Sequence, residues 1–95
     1  MVAYFIALRE DISDPAEFAI YREKATGTNV PFDGIQRVAY GQLDVKEGEP
    51  FVGVSMMEFP TFEAAQAWYH SPAYQDAVAH RFRSARYRTF IVDGV

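Results

Sequence analysis

Ninety-five residues suffice for a single domain, residues 1–95, around one small hydrophobic core. With 49% hydrophobic and 16% aromatic residues the chain can fold without covalent staples, and with no cysteine it has neither disulfides nor thiolate metal ligands. A net charge of -4 argues against a nucleic-acid surface, which needs a basic face.

The apolar stretch Val2–Leu8 lacks a basic leader and is too short to span a membrane. The expectation is a cytoplasmic protein with no membrane or nucleic-acid partner. Val2 to Arg9 reads as the first strand, with Tyr4, Ile6 and Leu8 on one face and Ala3, Phe5 and Ala7 on the other. Both faces are apolar, so both need a cover. Asp14-Pro15-Ala16-Glu17 is a helix start: Asp14 caps, Pro15 fits the first helical position and Glu17 stands at capping-box spacing. Phe18, Tyr21, Arg22 and Ala25 then share a helix face, and Gly27 is the stop.

Asn29 to Gly34 reads as loop. Ile35 to Leu43 and Phe51 to Phe59 read as an antiparallel hairpin joined by the acidic turn Asp44–Pro50. Thr61 caps a second helix containing Phe62, Ala65, Trp68 and Tyr69. Ser71-Pro72 ends it and starts another, running to about Arg83, with Tyr74, Val78 and Phe82 along one face. Tyr87 to Val92 is the last strand. The order strand–helix–strand–strand–helix–strand is that of a ferredoxin-like α+β domain, an antiparallel sheet with helices on one face. The second apolar sheet face is expected to be covered by a second copy of the chain, making a homodimer.

Several stretches together resemble the domain-of-unknown-function family numbered 1330. They are Asp14–Arg22, Glu58-Phe59-Pro60-Thr61-Phe62-Glu63-Ala64-Ala65, Trp68–Gln75 with its Ser71-Pro72, Arg81, and the closing Val92-Asp93-Gly94-Val95. The resemblance covers nearly the whole chain and is strongest from residue 58 onward. It implies a dimeric α/β barrel, in which two ferredoxin-like protomers pack sheet against sheet, and it implies no established activity. The chain departs from the family around Asp33–Gly41: one glycine remains where the family has pairs, and Ala39 stands where the family has an arginine. A ligand held by that arginine in relatives would be bound differently here.

The residues themselves offer several candidate sites, each with a plainer alternative. His80 follows Asp76 by four positions, the spacing of an oriented general base but equally of a solvated helix pair. His70 and His80 have no metal-ligand spacing, so no metal is expected, and no cofactor motif is present. Glu58 alternates with Val52, Val54 and Met56. It is either a base of raised pKa in an apolar layer or a paired carboxylate, with Arg22 and Arg81 as candidate partners. Arg81, Arg83, Arg86 and Arg88 either grip a small anion or complement a helix end. Tyr4, Tyr21, Tyr40, Trp68, Tyr69 and Tyr74 are either core or the wall of an apolar ligand pocket.

Two function classes follow. One is a non-catalytic module binding a small hydrophobic or aromatic metabolite, with Tyr21, Arg22, Trp68, Tyr69 and Tyr74 as ligand contacts. The other is implied by the resemblance at superfamily level: a cofactor-independent monooxygenase or an isomerase, with Glu58 or His80 as base and Arg81 stabilising an anion or enolate. That second class rests on fold analogy alone.

Overall fold

The computed structural model describes all 95 residues. Strand β1 (Ala3–Ile12) leads to helix α1 (Pro15–Ala25), and a single 3-10 turn (Val30–Phe32) precedes strand β2 (Ile35–Ala39). Strand β3 (Gly53–Phe59), helices α2 (Phe62–Tyr69) and α3 (Pro72–Ser84), and strand β4 (Ala85–Asp93) complete the chain. Local chemistry sets every helix start. The Asp14 side chain accepts from Glu17 N at 3.1 Å, Thr61 Oγ1 from Ala64 N at 3.0 Å and Ser71 Oγ from Tyr74 N at 3.3 Å. Gly27, at φ +83°, takes the left-handed conformation that lets the chain leave α1.

The strands pair antiparallel in the order β2-β3-β1-β4, with the three helices on one face. This is the ferredoxin-like arrangement. Alternation along β1 sends Ala3, Phe5 and Ala7 under the helices and Tyr4, Ile6 and Leu8 to the opposite face. Trp68 anchors the core. Its ring lies 4.9 Å from Phe5, 5.3 Å from Phe59 and 4.1 Å from Tyr74, and its indole N–H donates to Thr28 Oγ1 at 3.0 Å. An aromatic core built this way buries much area per residue, which a small domain needs.

Two expectations are corrected. The hairpin strands are shorter than the apolar pattern suggests. β2 stops at Ala39 because Tyr40 turns into the left-handed region at φ +58°, and β3, which pairs with β1, begins only at Gly53. A bulge between Gln36 and Val38 also shifts the register of β2 on β3. In α3 the buried face carries Tyr74, Ala77, Val78, Arg81 and Ser84, while Phe82 is 64% exposed. Arg81 is buried in its stead because the ring faces of Tyr21 and Tyr87 receive its guanidinium.

Candidate functional site

Between α1 and the sheet lies a cavity of about 190 Å³. Strand alternation supplies its floor: Phe5, Ala7 and Arg9 from β1, Ser55 and Met57 from β3. The 3.6-residue period of α1 supplies the wall, with Phe18, Tyr21, Arg22 and Ala25 in phase. Trp68 and Tyr74 close one end, and Gln36 and Tyr40 reach in from the β2 side. No carboxylate or imidazole lines it. A wider groove of about 330 Å³ lies elsewhere, between α2 and β4, where Tyr69 and His70 sit.

Phenols and guanidiniums dominate the polar chemistry. Arg81, 3% exposed, donates to Tyr74 Oη at 3.1 Å, and Tyr74 Oη lies 3.1 Å from Tyr21 Oη. Tyr40 Oη and Tyr87 Oη are 2.7 Å apart. Burial, reinforced by the neighbouring Tyr21, pushes the Tyr74 phenol up against the pull of Arg81. Burial and the bond to Tyr87 push Tyr40 up in the same way, and burial raises Tyr87. These phenols are neutral donors and acceptors, not bases. Burial works against the Arg81 charge, but Tyr74 and Tyr21 outweigh it and leave its pKa raised.

Arg9 is held from below by the Tyr40 ring, its guanidinium 4.3 Å from the centroid. Its Nε is buried and makes no hydrogen bond. Space for this stacking exists because residue 53 is glycine: a Cβ there would stand 2.6 Å from the Tyr40 ring and 3.4 Å from the Arg9 guanidinium. Tyr40 adopts a backbone conformation that a bulky residue rarely takes, and its N–H is fixed to Val54 O at 2.8 Å.

The structure brings Tyr21, Arg22, Trp68 and Tyr74 together at this cavity, with Arg81 directly behind Tyr74. Tyr69 lies at the other groove. Tyr4 lies on the sheet face away from the helices. Glu58 also faces away from the helices, across the sheet from Arg22 and Arg81. Its partner is Arg37, at 3.4 Å, because strand pairing sets β2 beside it. Asp76 and His80 do not pair with each other. Asp76 binds Lys24 at 3.0 Å, and His80 Nδ1 contacts the Glu17 carboxylate, because α1 packs along α3 and offers both partners. The same carboxylate takes Arg83 at 3.2 Å. Arg86 and Arg88 pair with Glu10 and Asp11. The four arginines of the C-terminal quarter therefore form no common anion site. No group of three or more metal-ligating side chains converges anywhere.

Arg9 is the site residue that sequence reasoning missed. The signal was present: Arg9 continues the Ala3, Phe5, Ala7 series and so had to point under the helices. Ser55 carried the same alternation signal with Met57 and Phe59, whereas Gln36 carried none, since it reaches Ser55 Oγ at 2.8 Å only through the bulged pairing of β2.

Comparison with known proteins gives the fold neighbours of this chain. The family model described as a domain of unknown function (DUF1330) matches residues 2–95. No curated protein matches the sequence. A protein of unknown function from Rhodopseudomonas palustris superimposes with a TM-score of 0.74 at 20% identity, covering 99% of this chain and 82% of that one. A dimeric ferredoxin-like protein of unknown function from Jannaschia sp. CCS1 superimposes at 0.77 with 14% identity, covering 99% and 100%. SnoaB, a cofactor-independent oxygenase from Streptomyces nogalater, superimposes at 0.61 with 10% identity, covering 99% and 92%. At these identities the likenesses establish the fold. No helix of the chain is long and apolar enough to cross a membrane.

Proposed function

The chain belongs to this family of domains of unknown function, and from that premise we propose that it is a dimeric module binding a small hydrophobic or aromatic metabolite in the cavity between α1 and the sheet. The observation that carries this reading is the cavity itself: partly enclosed, floored by Phe5, Ala7 and Met57, and walled by Phe18, Tyr21 and Trp68. An apolar cavity of about 150 Å³ accepts benzene, so about 190 Å³ suits a single ring with one substituent.

The alternative is an oxygenase- or isomerase-like enzyme, as SnoaB is an oxygenase on this fold. Such chemistry needs a base beside the bound carbon acid. Glu58 stands on the far face of the sheet and His80 is engaged by Glu17, while burial raises the pKa values of the cavity residues Tyr40 and Tyr74. Binding is therefore the better-supported reading.

The homodimer belongs to the same proposal. The sheet face opposite the helices carries Ile6, Leu8, Val54 and Met56, with Phe90 46% and Val92 43% exposed along its edge strand. A soluble protein covers a continuous apolar face of this kind, and a second copy packed sheet to sheet does so symmetrically. The Jannaschia neighbour is itself dimeric.

Binding is tested by titrating single-ring aromatic compounds into the protein and following the emission of Trp68, the only tryptophan. Saturable changes that disappear when the cavity is filled by Ala25→Phe support the reading. Unchanged titrations in the filled variant contradict it.

A further inference from the structure

Of the nine lysines and arginines, six have a carboxylate within 4.0 Å: Lys24, Arg37, Lys46, Arg83, Arg86 and Arg88. The three without one are Arg9, Arg22 and Arg81. An acidic chain with thirteen carboxylates has left three guanidiniums unpaired; Arg9 and Arg22 line one cavity, and Arg81 stands behind its Tyr74 wall. Two of them are brought around a single ring: the Arg9 guanidinium lies 5.8 Å and that of Arg22 5.7 Å from the Phe18 centroid. Like charges gathered beside an apolar space repel, and their repulsion is relieved by an anion between them.

We infer that the ligand is a small aromatic anion, a single ring bearing a carboxylate or an equivalent delocalised oxyanion, with Arg9 and Arg22 as its charge-binding residues. This rests on the binding reading above and names the class of ligand. Arg9 lines the cavity, and its buried Nε has no partner in the protein, so no acceptor of the chain itself fixes that end of the guanidinium. A guanidinium presents its N–H groups as a planar fork that matches a carboxylate. Arg22 approaches from the helix wall, so the anion is held between sheet and helix. The aromatic body lies against Phe5, Met57 and Trp68.

Arg81 acts at one remove, as a positioning residue. It can only donate, so Tyr74 Oη accepts from it. A phenol that accepts from a cation becomes a stronger donor, which directs the Tyr74 proton to Tyr21 Oη, 3.1 Å away. Tyr21 then keeps its own proton for the cavity, where an anion accepts it.

The test uses benzoate and its neutral isostere benzamide with the full chain at low ionic strength, read by Trp68 fluorescence. Benzoate is expected to bind more tightly than benzamide by about tenfold or more, the worth of one charge-assisted hydrogen bond. Arg22→Gln and Arg9→Gln should each erase most of that preference while sparing benzamide, and Arg9→Lys should restore it in part. Arg37→Gln, which alters a paired arginine outside the cavity, should leave it intact. Arg22 is exposed, so its variant folds even if the Arg9 variant does not. Equal binding of benzoate and benzamide, or a preference that survives Arg22→Gln, overturns the anion assignment and leaves the aromatic-binding reading standing. Binding of neither compound overturns both.

Discussion

Arg81 is a buried cation whose only side-chain hydrogen bond runs to a phenol, and this makes an unusual stability prediction. Replacing it with methionine removes a charge-assisted hydrogen bond of about 1.5–3 kcal/mol. It also removes cation–π contacts to Tyr87 at 4.7 Å and Tyr21 at 5.5 Å, each about 0.5–2 kcal/mol. Against this stands a desolvation penalty of several kcal/mol for a buried ion, which the substitution abolishes. The two sides nearly cancel, and Met refills most of the volume, so Arg81→Met should be close to wild type in stability. Tyr74→Phe deletes one oxygen yet leaves the guanidinium buried without its acceptor, at a cost of about 1–3 kcal/mol. The smaller chemical change should therefore be the more damaging. Urea unfolding followed by Trp68 emission, with every variant at one protein concentration because a dimer's stability depends on it, measures the order. Arg81→Met destabilising more than Tyr74→Phe would refute the reasoning, since it would show the buried charge to be a net stabiliser.

Three further predictions follow from other parts of the molecule. A Cβ on Gly34 would stand 2.6 and 2.9 Å from ring atoms of Phe59, which is fully buried. Gly34→Ala should thus cost about 1–3 kcal/mol by overpacking. Gly41→Ala meets nothing and should lie within about 0.5 kcal/mol of wild type, both read by thermal denaturation. The bond from His80, opposed by burial and aided by Arg83, holds the Glu17 carboxyl below its ordinary value of 4.5. A depressed folded pKa gives stability that is complete above 4.5 and lost as pH falls through the lowered value. Glu17→Gln should accordingly flatten the acid limb of a stability–pH profile and leave its shape above neutrality unchanged. If the proposed dimer pairs sheet to sheet, Met56→Glu on the sheet face away from the helices should give a monomer in sedimentation, whereas Glu63→Gln, at an exposed position of α2, should not change the oligomeric state; a Met56→Glu dimer would contradict that pairing.

What was legible in the sequence was local. Asp14, Thr61 and Ser71 are caps because each side chain reaches a backbone N–H three residues ahead, and sequence spacing alone determines that. The element order followed, and with it the ferredoxin-like fold. What was not legible depended on partners far along the chain. Glu58 meets Arg37 across a strand pair, Asp76 meets Lys24 from 52 positions away, and His80 meets Glu17 from 63. Hydropathy placed Phe82 inside α3, but a cage of tyrosine rings from two other elements made Arg81 the buried residue. The end of β2 escaped notice because a positive φ at Tyr40 is held by contacts to Val54, Tyr87 and Arg9, none of them its neighbours in sequence.

The central claim is that a ligand enters between α1 and the sheet. The three methionines make a direct test of it. Met57 lines the cavity, Met56 pairs beside Ile6 on the opposite sheet face, and Met1 is exposed. With the methionine methyl groups carbon-13 labelled, benzoate titration should move the Met57 resonance saturably and leave Met56 and Met1 in place. Movement of Met56 instead, or no movement of Met57 at saturation, would contradict the account.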